Sequence, residues 1–406
     1  MSYPVIVAYG RTACCRARKG GLADVHPVDF SAECLKGVIA QVPYIQENPT
    51  EIGDVITGCA MHINQMNMNA SRLIVNRAGL PDDVPAQTIN RFCSSGLQAI
   101  STAVNAITAG QYKVAIAGGC EYMTGCFTPY DFGTYGNQWI MDNYPGGYMS
   151  MGQTAENVAN DYGITREQMD AMALESHTRA AAARKAGKLA PSIIPYTKAD
   201  GTVIAADDGI LAEMDGTLKT SMEKMASLKT CFVPADQGGK VTAASSSQTT
   251  DAASYVMIMD SDYAAEHGIK PIAKMIGFQV GGCDATRMGM GPVYAIPAAL
   301  KQAGLSSVKD LDVIELNEAF AAQAIGCIKN PNNDPSLDGL QEMWDAKKIN
   351  PYGGAMALGH PMGATGAFLT CKVLDYLRDP ETAGKYGMVT MCIGGGMGAA
   401  GIYELL

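Results

Sequence analysis

Two stretches of this chain alternate short apolar runs with amphipathic ones, and that repeated rhythm narrows the possible folds more than any other feature. In the first stretch, residues 5–8, 54–58, 86–90 and 114–117 read as strands. Between them, 30–41, 68–78 and the segment after residue 93 carry apolar residues at helical spacing. The last third renews the alternation through 272–278, 293–303, 313–315, 319–328, 364–377, 387–392 and 398–404. A β-α-β-α order implies a mainly parallel, buried sheet with helices on both faces. With 406 residues the chain exceeds one ordinary domain, so two such halves suit its length.

The middle of the chain departs from this rhythm. From 121 to about 240 it becomes a turn-rich segment, 127–147, followed by a strongly helical 156–186. Long excursions from compact domains are usually functional or disordered. Hydrophobic residues at 47% with 17% charged describe a compact chain, so a functional excursion is the better expectation.

Charge and special residues exclude several classes. A net charge of −10 argues against nonspecific binding to nucleic acid or to an anionic membrane, while leaving room for a local basic patch. No apolar run approaches the length of a membrane span. The five histidines show no ligand-like pairing and no Cys-x-x-Cys occurs, so no metal is expected. Twelve scattered cysteines, behind a start that lacks a basic segment and apolar core, suggest free thiols in a reducing cytoplasm. Gly396-Met397-Gly398-Ala399-Ala400-Gly401 fits a dinucleotide fingerprint, but only five residues remain for the helix and strand that must follow it. That reading is rejected.

Cys93 lies in Asn90-Arg91-Phe92-Cys93-Ser94-Ser95-Gly96, at the first turn of the helix marked by Leu97, Ile100, Val104 and Ile107. A thiol there meets unsatisfied N–H groups and the positive end of a helix dipole, which favour its thiolate. Three further polar motifs punctuate apolar stretches: Asn317-Glu318-Ala319-Phe320, Gly359-His360-Pro361 and Cys392-Ile393-Gly394-Gly395-Gly396. In this order, and nearly end to end, the chain resembles the thiolase family. The resemblance implies duplicated βαβαβ core domains in a layered α/β/α/β/α arrangement, with an inserted loop domain. The halves would be 1–120 and 272–406, with 121–240 as the loop domain covering the active site and 241–271 returning to the N-terminal core.

The resemblance also implies roles. Cys93 would attack a 3-ketoacyl-CoA, and His360 would activate it. Cys392, whose ordinary pKa of about 8.5 lies near that of a coenzyme A thiol, would protonate the departing acetyl-CoA enolate. Asn317 would hold a water that, with His360, forms the enolate oxyanion hole, while the N–H groups of Cys93 and Gly394 form the second hole. Glu318 would be structural or would tune the Asn317 region. Coenzyme A would be a substrate, contacted by Ser247, Ala243, Met151, Ala319 and Phe320, with no permanently bound cofactor. A homodimer or homotetramer is implied.

Some positions depart from the family pattern. Ser245 replaces the usual Asn, Ala244 the usual Gly, and Leu211 an arginine within a segment, 207–228, that carries extra residues. Lys219, Lys224 or Lys229 would then supply phosphate or adenine contacts. Arg11-Thr12, Arg16-Ala17-Arg18-Lys19-Gly20-Gly21 and Ser247-Gln248 look like the degradative 3-ketoacyl-CoA branch. Ser150 stands where short-chain enzymes commonly carry a histidine, so chains longer than acetoacetyl-CoA are expected. The alternatives are a short-chain acetoacetyl-CoA thiolase working as a condensing enzyme, and a non-catalytic thiolase-like lipid- or acyl-CoA-binding protein. A ketoacyl synthase would carry a second catalytic histidine in place of Cys392.

Overall fold

The computed structural model describes residues 2–126 and 135–406. Its first half runs β1 (Pro4–Arg11), α1 (Pro27–Ile39), β2 (Ile52–Gly58), α2 (Ala70–Arg77), β3 (Ala86–Ile89), α3 (Ser95–Thr108) and β4 (Val114–Tyr122). After the excursion the chain re-enters with β5 (Thr250–Asp260). The second half runs β6 (Ala273–Gly282), α6 (Gly291–Ala303), β7 (Val313–Leu316), α7 (Ala321–Ile328), α8 (Met362–Arg378), β8 (Tyr386–Ile393) and β9 (Met397–Leu405). Helices α4 and α5 belong to the excursion between the halves. The expected run 156–186 is these two helices, Met151–Asp161 and Arg166–Lys185. Gly163 turns the chain between them at φ +59, and a Thr165–Gln168 capping box restarts it. Of the turn-rich 127–147, residues 127–134 lie outside the described residues, and a short helix, Gln138–Asn143, stands in the remainder.

The strands form one hydrogen-bonded path in the order β7-β8-β9-β6-β1-β5-β4-β2-β3. The halves join through a single antiparallel pair, Ile6 with Ala273. The expectation of a mainly parallel sheet is corrected here. Among the described residues only the strand pairs β2–β3, β2–β4 and β7–β8 are parallel. The reason is β5, all eleven of whose residues are buried, which returns from the excursion and wedges antiparallel between β1 and β4. In the second half β8 and β9 form a hairpin, and β9 also pairs antiparallel with β6. Gly396 and Gly401, from the rejected fingerprint, lie in that hairpin turn and in β9, which pairs on both edges.

Apolar side chains sort into layers. Phe30, Leu35 and Ile74 from α1 and α2 pack with Val55, Ile116 and Met257 on one outer face. Ile296 from α6 and Ala324 from α7 pack with Ile314, Met388 and Ile402 on the other. Between the two halves of that path lie α3 and α8, where Leu97, Ile100, Phe368 and Leu374 meet Ile56, Ala117, Val256 and Val389. Helix α8 is buried almost all round and touches β4, β5, β7 and β8, as a central helix must. The excursion is tied back by a buried ion pair: Asp207 accepts from both Arg11 guanidinium nitrogens, at 2.7 and 2.9 Å, and from the Cys14 amide. Among the described residues no helix is long and apolar enough to cross a membrane.

Candidate active site

Helices α3 and α8 cross in near contact because glycines line the crossing. A Cβ on Gly366 would lie 2.2 Å from the Leu97 nitrogen, and one on Gly96 would lie 2.8 Å from the Gly363 carbonyl. The turns that precede the two helices, carrying Cys93 and His360, are thereby brought to the same end of the molecule.

Cys93 does not begin α3. It sits in the 3-10 turn Phe92–Ser94 just before it. That turn is tight: Phe92 adopts φ +45, its amide donates to Asn90 Oδ1 at 2.7 Å, and the Arg91 amide donates to Ser95 Oγ at 2.9 Å. The backbone N–H groups of Gly394 and of Cys93 itself act on the sulfur in favour of its thiolate. The expected stabilised thiolate is nevertheless corrected. Burial pushes the thiol up to about 11, outweighing the two N–H groups, and the nearby Glu121 charge adds to the rise.

His360 follows Gly359, whose φ of +99 places its α-carbon against Thr250. The His360 amide donates to the Gln248 carbonyl at 3.0 Å. Its Nδ1 lies 2.6 Å from Thr365 Oγ1, and that hydroxyl donates to the Pro361 carbonyl at 3.1 Å. With its proton so committed, the hydroxyl accepts from Nδ1–H, which leaves Nε2 as the free acceptor. Burial lowers His360 to about 4, so the ring is neutral. Asn317 Nδ2 lies 3.5 Å from Nε2, while Asn317 Oδ1 is buried with no partner among the described residues. An orphaned buried oxygen beside an imidazole suits an ordered water.

Cys392 lies in β8 opposite Gly398, fully buried. Burial pushes its thiol well up, and the neighbouring Cys93 adds to the rise. A Cβ on Gly394 would meet only Met151 Sδ at 3.5 Å and the Phe92 ring at 3.7 Å, so the protein alone does not demand glycine there. Met151 thus faces Gly394. Ser150 instead is exposed, its hydroxyl capping α4 by accepting from the Gln153 amide.

The expected coenzyme A contacts fall in one neighbourhood. The Ser247 amide donates to the Ala319 carbonyl at 2.9 Å, and Ser246 bridges Phe320. Phe320 packs edge-on to Phe232, which covers Gly152 beside Met151. Ala243 is exposed on the same loop. Leu211 is bonded through its amide to His177 Nδ1. Lys219 pairs with Glu213 and Lys224 donates to the Lys219 carbonyl, leaving Lys229 the uncommitted lysine of the three among the described residues. Glu318 accepts from Ser176, Asn350 and the Met356 amide, which fixes the loop leading to His360.

Two residues escaped the sequence reading. Thr365, which orients His360, stands five positions after it, and its signal was a hydroxyl in the first turn of the helix that follows the histidine. Glu121 is a fully buried acid in an otherwise uncharged strand; its place at the end of Gly118-Gly119-Cys120-Glu121 was the available signal.

Thiol chemistry beneath paired backbone donors, in a molecule of two matched halves, is the work of an acyltransferase. The chain belongs to the thiolase family: the family models described as "Thiolase, N-terminal domain" and "Thiolase, C-terminal domain" match residues 4–262 and 269–405. It is 42% identical to a 3-ketoacyl-CoA thiolase of Bacillus subtilis (strain 168) over the whole of both chains. It is 39% identical to the peroxisomal 3-ketoacyl-CoA thiolase 5 of Arabidopsis thaliana, over 98% of this chain and 85% of the relative. The dimeric peroxisomal thiolase of Saccharomyces cerevisiae superposes with a TM-score of 0.88 at 32% identity, covering 100% of this chain and 97% of the other. The Bacillus anthracis acetyl-CoA acetyltransferase gives 0.86 at 32% identity, covering 100% and 99%.

Proposed function

We propose that this thiolase cleaves 3-ketoacyl-CoA with coenzyme A, giving acetyl-CoA and a shortened acyl-CoA, through an acyl group carried on Cys93. The observation that carries the reading is the packing of the Cys93 turn against β8, where Gly394 faces the Phe92 ring and its amide stands beside the Cys93 sulfur. Once acylated, that sulfur places a thioester carbonyl oxygen where two fixed donors can stabilise its negative charge. His360, neutral and with Nε2 unprotonated, takes the Cys93 proton as the sulfur attacks the 3-keto carbon. A water held at Asn317 and His360 stabilises the enolate oxygen of the leaving acetyl-CoA. Cys392, kept protonated by burial, hands its proton to the enolate carbon and then recovers one from the incoming coenzyme A thiol.

In the test, Cys392→Ser enzyme is mixed with a saturated acyl-CoA, which acylates Cys93 without forming an enolate, then quenched rapidly and mapped by mass spectrometry. Acyl-Cys93 accumulates while turnover falls about 10²–10⁴-fold, the typical cost of one acid–base group. Acyl groups on another cysteine with Cys93 free would overturn the assignment.

The substrate reading is a broad, degradative one. Each buried methylene contributes about 0.8 kcal/mol, so kcat/KM holds or rises from four to eight carbons. The similarity to an acetyl-CoA acetyltransferase supports the alternative, a short-chain enzyme run as a condensation; a steep fall from four to six carbons would favour it. In this reading residues 121–240 form the loop domain that covers the site, and Lys229 serves the nucleotide end of coenzyme A. A homodimer forms through β3, the edge of the sheet, where Met68, Leu73 and Phe92 lie exposed. Light scattering of the purified protein measures that state. The compartment proposed is a reducing cytoplasm, from the scattered cysteines and the bacterial relatives.

A further inference from the structure

We infer that Glu121 is a positioning residue, whose one buried carboxylate holds the Cys93 turn and the His360 turn in fixed register. The inference rests on the roles proposed above for those two residues. Glu121 Oε2 accepts from the Ala60 and Gly363 amides, each at 2.8 Å. Its Oε1 accepts from the Met61 amide at 3.2 Å and the Cys59 thiol at 3.5 Å. Every neighbour donates and none accepts. A carboxylic acid would turn its own proton toward a donor, so the ionised form fits the site.

Two limbs leave Oε2, one toward each catalytic turn. Gly363 stands in the first turn of α8, directly after His360-Pro361-Met362, where unsatisfied N–H groups and the helix dipole favour an anion. On the other side, the Ala60 carbonyl accepts from Asn90 Nδ2 at 2.9 Å, and Asn90 Oδ1 accepts from the Phe92 amide at 2.7 Å. Phe92 is the residue whose left-handed backbone precedes Cys93. The two limbs meet backbone to backbone: a Cβ on Gly363 would lie 2.6 Å from the Cys59 α-carbon. Burial raises the Glu121 pKa and its backbone hydrogen bonds draw it back, while its charge raises that of Cys93. Glu121 therefore does two separable things. Its hydrogen bonds set geometry, and its charge adds to the rise that burial imposes on the Cys93 thiol.

That separation supplies the test. In Glu121→Gln the amide still accepts from Ala60 and Gly363 but turns N–H groups toward Met61 and Cys59. We expect kcat to fall about 10²-fold, the scale of an ångström-sized misplacement, with KM little changed. Alkylation of Cys93 by iodoacetamide is expected to move to lower pH than in the wild type, because the charge has gone. A residue that merely supported the fold would slow both reactions together. A folded variant with wild-type turnover, or with an unmoved alkylation profile, would overturn the inference. Should Glu121→Gln not fold, Asn90→Ala cuts the Cys93 limb with the carboxylate in place. It should lower kcat and leave the alkylation profile at its wild-type pH; unchanged kcat overturns the inference. Wild-type turnover that survived complete Cys93 alkylation would remove the Cys93 assignment, and the role of Glu121 with it. A Cys93-dependent enzyme with an unaffected Glu121→Gln variant would remove that of Glu121 alone.

Discussion

Cys93 and His360 are both neutral at rest, and burial is the cause in each case. It pushes the thiol up to about 11 and the imidazole down to about 4. At pH 7 the thiolate fraction is then on the order of 10⁻⁴, and proton transfer to His360 belongs to the reaction, not to the resting enzyme. Alkylation of Cys93 in the free enzyme should therefore rise about tenfold per pH unit from pH 7 and level off only near 11. A plateau below pH 8 would instead reveal a preformed thiolate–imidazolium pair. Sequence position alone points the other way, because it displays the helix start and its N–H groups but not the depth of burial above them. Ser150 fails for a similar reason. Alignment gives its place in the chain, whereas its rotation toward the α4 amides, with Met151 turned to Gly394, exists only in three dimensions.

At the level of elements, the site is made by the crossing of α3 and α8, and a graded pair of glycine variants tests that. Gly366→Ala drives a methyl against the Leu97 backbone, where nothing flexible can give way. Overpacking of this kind costs about 1–3 kcal/mol. Because the crossing sets the spacing between the Cys93 and His360 turns, turnover should drop further than the loss of stability accounts for. Gly163→Ala is the contrast. It has φ +59 with nothing within 4 Å of the added Cβ, so it should lose about 1 kcal/mol to backbone strain and keep its kcat. Equal effects on turnover would show that the crossing does not govern the site. The strand–helix rhythm made most of these elements legible, since each amphipathic run betrays the sheet it covers. It left β5 unread. Asp251-Ala252-Ala253-Ser254-Tyr255-Val256 is a fully buried central strand with no covering helix of its own in sequence, so no alternation marks it. Missing β5 also made the sheet look mainly parallel.

Across the whole molecule, the excursion is held to the core by the buried Arg11–Asp207 pair, and a buried histidine inside the excursion gives the fold a pH dependence. His177, on α5, accepts from the Leu211 amide at 3.1 Å, and burial lowers it to about 4. Its folded pKa lies below the ordinary value of about 6.5, so the unfolded chain takes up the proton first. The stability from this histidine is complete above pH 6.5 and is lost as pH falls toward 4, by up to roughly 3 kcal/mol. Glu315, raised to about 7 by burial despite Lys372 beside it, has the opposite sign. Its fold favours the protonated acid, so its contribution fades as pH rises through the same window. The wild-type slope is thus a difference between opposing terms, and a variant separates them. In His177→Gln the amide oxygen can still accept from Leu211, but no proton is taken up on unfolding. Urea midpoints at pH 7, 5.5 and 4 should show the variant losing less stability on acidification than the wild type. Parallel loss in the two proteins would mean that His177 is already protonated in the fold, and that its Nδ1 is not what holds Leu211.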